Sequence, residues 1–133
     1  MLLKIKYLFN KELQVGNKDS QMEWRSQCPI SSALDVIGDK WSLLVIRDLI
    51  IHGERTYSQL LDSAEHISTN ILASRLELLT FFKVIERTNP VGSRNNAFKL
   101  TKAGLALKPA IESLAKWSGK YLQEFHENIV QLR

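Results

Sequence analysis

TYSQLLDSAEHISTNILASRLELL, residues 56–79, carries apolar side chains at Tyr57, Leu60, Leu61 and Ala64 in its first half and at Ile67, Ile71, Leu72, Leu76 and Leu79 in its second. Both sets recur at three- and four-residue steps, the spacing that lines one face of an α-helix. The stretch therefore predicts two short amphipathic helices. Glu65, His66, Ile67 and Ser68 form the joint between them, and Ser68 is placed to accept a hydrogen bond from a backbone N–H one turn on, as N-cap serines do. Two short helices across a tight joint are a helix-turn-helix candidate. The apolar stripe of the second helix turns Thr69, Asn70, Ala73, Ser74 and Glu77 outward. Near the helix start these side chains are small and hydrogen-bonding, which lets a backbone approach base edges in a major groove. An ordinary surface helix fits the periodicity equally well, so the neighbouring segments decide.

Downstream the period changes. Val84 to Asn89 (VIERTN) has β-branched content, Pro90 to Asn96 (PVGSRNN) reads as a turn, and Ala97 to Leu100 (AFKL) reads as a returning strand. The charge shifts as well. Residues 83–102 hold Lys83, Arg87, Arg94, Lys99 and Lys102 against the single acid Glu86, whereas residues 31–82 carry four bases and seven acids. A helix-turn-helix followed by a basic hairpin describes a winged helix, with its positive charge where a grip on phosphates is useful. The expected fold class is mainly α (α+β): a winged helix-turn-helix with a two-stranded β wing and a long C-terminal dimerisation helix.

Upstream, Pro29 disfavours helix at Cys28. Ser31 or Ser32 is then expected to cap a helix that stops at Gly38 in a left-handed conformation. Asp39 caps the segment KWSLLVIRDLIIHG, residues 40–53, which is too apolar around its circumference for a surface helix and is expected to be the central core helix. Thr101 caps the last helical region, which Pro109 starts or kinks. Beyond it Leu114, Trp117, Tyr121, Leu122, Phe125 and Ile129 belong to an apolar face about six turns long. A small domain cannot cover such a face alone, so these six residues are expected to form a coiled-coil-like homodimer seam. The expected division is an N-terminal extension over 1–27, in which the first 21 residues are optional or serve as a dimer arm and Met22 is a second candidate start. A DNA-binding domain over 28–108 and a dimerisation helix over 109–133 follow.

The chain has 133 residues, 44% of them hydrophobic, and a net charge of +4. That suits one domain and permits an anionic partner without requiring one. Cys28 is the only cysteine, and His52, His66 and His126 are scattered without metal-ligand spacing. Neither a metal nor a cofactor is expected, and a reducing, cytoplasmic setting is. MLLKIKYLFN at the start is interrupted by Lys4 and Lys6, which argues against a signal peptide or a membrane partner. No nucleophile, base and orienting group fall together and there is no Gly-rich phosphate loop, so an enzyme is not expected.

Several spaced blocks resemble the HxlR-type winged-helix transcriptional regulators of bacteria, a branch of the MarR-like group. They are Cys28-Pro29, GDKW at 38–41 followed by LLVIRDL, GERTYSQL at 53–60, ISTNILASRLELL at 67–79, LT-x-x-G at 100–104, and Trp117. The resemblance implies a homodimer on a pseudo-palindromic double-stranded DNA operator, with the second helix in the major groove and the hairpin as a wing. It places Ser68, Thr69, Asn70 and Ser74 at bases or nearby phosphates. Arg55, Arg75 and the wing residues Arg94, Asn95, Asn96 and Lys99 would grip the backbone. In parts of this family the Cys before Pro senses oxidants, quinones or aldehydes, which makes Cys28 the redox-sensing candidate and leaves room for a small-molecule effector. The chain departs from the family pattern at Phe82-Lys83, where a Gly is usual, and at Ala97-Phe98, where Glu-Tyr often precedes the LT block. The rival reading is a winged-helix module for protein contacts without DNA readout, which the acidic balance of residues 31–82 favours.

Overall fold

A computed structural model describes residues 23–89 and 96–131. Its elements are α1 (Pro29–Ile37), α2 (Ser42–His52), β1 (Arg55–Thr56), α3 (Tyr57–Leu61), α4 (Thr69–Phe81), β2 (Ile85–Arg87), β3 (Ala97–Leu100), α5 (Lys102–Leu105) and α6 (Lys108–Tyr121). The fold is mostly helical with a small antiparallel sheet, as expected. Strands β2 and β3 form the expected two-stranded wing, and β1 adds a third strand, in the order β1-β3-β2. Arg55 pairs with Phe98 and Thr56 with Ala97, while Ile85, Glu86 and Arg87 face Leu100, Lys99 and Phe98. A two-residue strand has no periodicity to read, which is why the third strand escapes the sequence.

The core is built on α2, where Val45, Ile46 and Leu49 are buried. Leu60 from α3, Leu72, Leu76 and Leu79 from α4, and Ile85 and Phe98 from the sheet close over them. Asp39 caps α2 from two residues before its N-cap, since Oδ2 accepts the backbone N–H of both Trp41 and Ser42. Gly53 ends the helix with φ +76, a conformation that favours glycine. Gly38 ends α1 with φ −81, not in the expected left-handed region. Its role is space instead, because a Cβ there would stand 2.3 Å from the Leu34 carbonyl oxygen.

Three other expectations are corrected. Helix α1 begins at Pro29 with Cys28 at the N-cap, so neither Ser31 nor Ser32 starts it; the fixed φ of proline suits the first helical position. Helix α3 stops at Leu61, leaving Ala64 exposed in a joint that runs over 62–68. The C-terminal helix is 14 residues long and ends at Tyr121. Leu122 is its C-cap, and Phe125 and Ile129 lie in turns beyond it, because the chain folds back until Gln131 Nε2 donates to the Gly119 carbonyl. The long C-terminal helix is present, and the expected apolar face runs along it only as far as Tyr121. From the segment before Cys28, Trp24 packs on Phe82 at 5.9 Å between ring centroids, and Arg25 pairs with the buried Asp35.

Helix α4 ends in a Schellman motif. The Val84 N–H donates to the Leu79 carbonyl and the Lys83 N–H to the Thr80 carbonyl. Lys83 takes the left-handed position with φ 59, where the family usually has glycine. The LT-x-x-G block then locks onto the same corner. Thr101 Oγ1 donates to the Lys83 carbonyl at 2.6 Å, with the Val84 carbonyl at 3.0 Å, and accepts from the Gly104 N–H, and a Cβ on Gly104 would stand 2.1 Å from the Val84 carbonyl oxygen.

Candidate nucleic-acid interface

Helix α4 carries the candidate reading surface. Ser68 caps it, its Oγ accepting the Ile71 N–H at 3.4 Å. Leu72, Leu76, Leu78 and Leu79 are buried, so Thr69, Asn70, Ala73 and Glu77 are left exposed, with Ser74 half-buried at the edge of the row. The Tyr57 hydroxyl donates to the Thr69 carbonyl at 2.9 Å and ties α3 to the start of α4. The joint is held from α2. Arg47 reaches Glu65 with both terminal nitrogens, and Ser63 Oγ donates to the same carboxylate. The Arg47 guanidinium beside it holds the Glu65 carboxyl down to about 2, with the Ser63 hydroxyl adding to the effect and burial opposing it. Glu65 in turn raises Arg47. His66, next in the joint, has φ 58, one of the left-handed positions that short polar side chains tolerate better than branched ones.

The structure separates the other expected residues. Arg75 does not join the outward row. It is buried, with Nε 3.2 Å from Asp39 Oδ2, because position 75 lies on the same inner face as Leu72, Leu76 and Leu79. The expected phosphate grip by Arg75 is replaced by an internal ion pair. Lys99 stands opposite Glu86 in the ladder and pairs with it at 3.6 Å, both about half-exposed. Arg55 is half-buried in β1, an edge strand of the sheet. Arg94 and Asn95 lie outside the described residues. Asn96 faces a cavity of about 630 Å³ between α4 and the wing, which Tyr57, Leu76, Glu77 and Phe98 also line. Arg87, absent from the expected set, projects into this gap with its guanidinium 5.1 Å over the Phe98 ring. Its place in β2 directly across from Phe98 could have flagged it.

Cys28 is exposed at the start of α1, and its backbone N–H donates to Ser26 Oγ. Arg25, three residues before it, is engaged by Asp35 and the Ser31 carbonyl. On α6, Leu114, Trp117 and Tyr121 are exposed, whereas Leu122 and Ile129 are half-buried by the returning chain. Ile111 packs inward against the core. Among the described residues no cluster of His, Cys, Asp or Glu could hold a metal, and no helix is long and apolar enough to cross a membrane.

The comparison with known proteins agrees with this geometry. The model of the HxlR-like helix-turn-helix family matches residues 36–126. An uncharacterised HTH-type transcriptional regulator of Synechocystis, sll1512, is 32% identical over 110 residues, covering 82% of this chain and 81% of that protein. The crystal structure of PA1607, a proposed transcription factor, superposes with a TM-score of 0.69 at 30% identity, over 82% of this chain and 74% of that one. Quinone-bound YodB from Bacillus subtilis superposes with a TM-score of 0.60 at 26% identity, over 71% of this chain and 100% of that one.

Proposed function

The chain belongs to the HxlR-like helix-turn-helix family of transcriptional regulators, and from that premise we propose that it acts as a homodimer on a double-stranded DNA operator. Helix α4 enters the major groove and reads bases through Thr69 and Asn70, with Ser68 and Ser74 at bases or adjacent phosphates. The wing holds the flanking backbone through Asn96 and Lys99, together with Arg94 and Asn95, and Arg55 supports it from β1. Arg87 joins this set, since the gap between α4 and the wing is where a sugar–phosphate strand passes when a helix fills the groove beside it.

The observation that carries the reading is the division of α4 into a buried apolar face and an exposed row of small polar side chains. Helices that serve protein contacts need exposed apolar anchors in that row, and α4 offers none before Phe81. The apolar anchors of this chain are on α6 instead. Leu114, Trp117 and Tyr121 are each more than half exposed there, the size of patch that a second copy covers. Selecting bound fragments from genomic DNA tests the proposal. Enrichment of a two-fold symmetric site with half-sites about one DNA turn apart is expected; recovery of no sequence above random DNA contradicts it.

A thiol-reactive signal at Cys28 is the second reading. YodB, a relative, has been solved in quinone-bound and diamide-treated forms, and Cys28 is exposed at a helix start, where a reagent can reach it. Diamide should weaken operator binding by the native chain and leave Cys28→Ser unaffected; equal loss in both removes this reading.

A further inference from the structure

Arg75 is the one charged side chain that α4 sends into the domain, with 10% of it exposed, and its partner Asp39 is 4% exposed. Arg75 Nε lies 3.2 Å from Asp39 Oδ2 yet makes no aligned hydrogen bond, so charge rather than a directed bond holds the two together. The same carboxylate closes the start of α2 through the backbone N–H groups of Trp41 and Ser42 and the Ser42 hydroxyl. One acid thus anchors the core helix and receives the outward-reading helix.

Stability alone is a weak reason for such a pair, because two buried charges lose their water and apolar side chains of equal volume often serve as well. The remaining contacts of this face, through Leu72, Leu76 and Leu79, are apolar and non-directional, so they tolerate small rotations of the helix. A rotation of about 20° carries a side chain on the far side of a helix by about 2 Å. That exceeds the range over which a hydrogen bond to a base edge survives.

We propose that the buried Asp39–Arg75 pair is a positioning contact that fixes the rotation of α4 about its own axis and so sets how Thr69, Asn70 and Ser74 are presented to DNA. The proposal rests on the DNA-binding reading above, and it makes Arg75 a determinant of specificity that never touches DNA. Two side chains allow the contact to be cut without cutting the cap. Asparagine caps as well as aspartate, so Asp39→Asn keeps the acceptor for α2 and removes the charge. Arg75→Met keeps most of the volume.

The test uses the full chain, at a temperature where circular dichroism shows each variant folded. Asp39→Asn and Arg75→Met should each lower operator affinity by about tenfold, the scale of one lost base-reading contact. Random-DNA affinity and its salt slope should stay unchanged, because a buried guanidinium releases no counterion. The double variant leaves no unpaired charge, so its unfolding midpoint should recover while its operator-to-random ratio stays low. A ratio that recovers together with stability overturns the proposal, and so does a parallel fall on both DNAs with a shallower salt slope. Should the native chain itself prefer no sequence, the DNA reading fails separately. Hydrogen exchange then decides this one: amides of Leu72 to Leu76, the first that bond within α4, should lose protection in Asp39→Asn while those of α6 keep theirs, and unchanged protection in α4 overturns it.

Discussion

Arg47 on α2 meets Glu65 in the helix-turn-helix joint twice, Nη1 to Oε1 at 2.6 Å and Nη2 to Oε2 at 2.9 Å. The joint therefore hangs from the core helix by a two-point ion pair as well as by Ile67, which is buried in the core, while Ala64 and His66 on either side of Glu65 are exposed.

This pair makes the stability of the joint depend on pH in a defined direction. The folded-state carboxyl of Glu65 lies at about 2 against an ordinary value of 4.5. Its contribution is thus fully present above about pH 4.5 and is lost as pH falls toward 2. Both partners are about a third exposed, so solvent screening limits the contribution to about 1 kcal/mol. Urea unfolding of the native chain and Glu65→Gln should differ by this amount at pH 7 and converge near pH 2. A difference that persists at pH 2 would assign the effect to packing.

Lys83 bears a strain that the family pattern avoids. A side chain at φ 59 costs roughly 1–2 kcal/mol, part of which glycine repays through its greater freedom when unfolded. Lys83→Gly should therefore raise stability by roughly 0.5–1 kcal/mol, seen as a higher urea midpoint with an unchanged slope. A lower midpoint would mean that the Lys83 side chain makes up for its backbone.

Most of the fold was legible because its signals are local. Three- and four-residue spacing located α2, α3 and α4, and Ser68, Thr101 and Asp39 all accept the capping bonds that their positions suggested. What could not be read was set by tertiary contacts. The resemblance alone places Arg75 at the DNA backbone; its spacing from Leu72 and Leu79 already puts it on the inner face, but the carboxylate that receives it lies 36 positions earlier, at Asp39, where no local pattern reaches. The run from Leu122 to Ile129 kept helical spacing, yet Gln131 turns the chain back onto Gly119. Strand β1 is too short to carry a pattern and exists only because β3 passes beside it.

The dimer seam should lie on α6 proper. Leu114→Glu with Trp117→Glu places two carboxylates in an exposed apolar patch, which leaves the fold intact and costs several kcal/mol at a dry interface. Sedimentation should show monomers. A variant that sediments as the native dimer would move the interface off this face.

Arg87 should act on affinity without selectivity. Removing one phosphate contact releases about one counterion fewer, so Arg87→Ala should reduce the salt slope by about one unit and weaken operator and random DNA alike. A loss confined to the operator would make Arg87 a base reader.

Base reading itself is assigned to the start of α4, and Asn70→Ala tests it most directly. Asn70 is exposed at the second position of α4, and its amide offers the donor and acceptor that match adenine N6 and N7. With both affinities measured at one fixed salt concentration, operator binding should weaken by about 1–3 kcal/mol while random-sequence binding stays within error. A parallel fall on both DNAs would contradict the account, assigning Asn70 to the phosphates and leaving sequence to be read by Thr69, Ser74 or DNA shape.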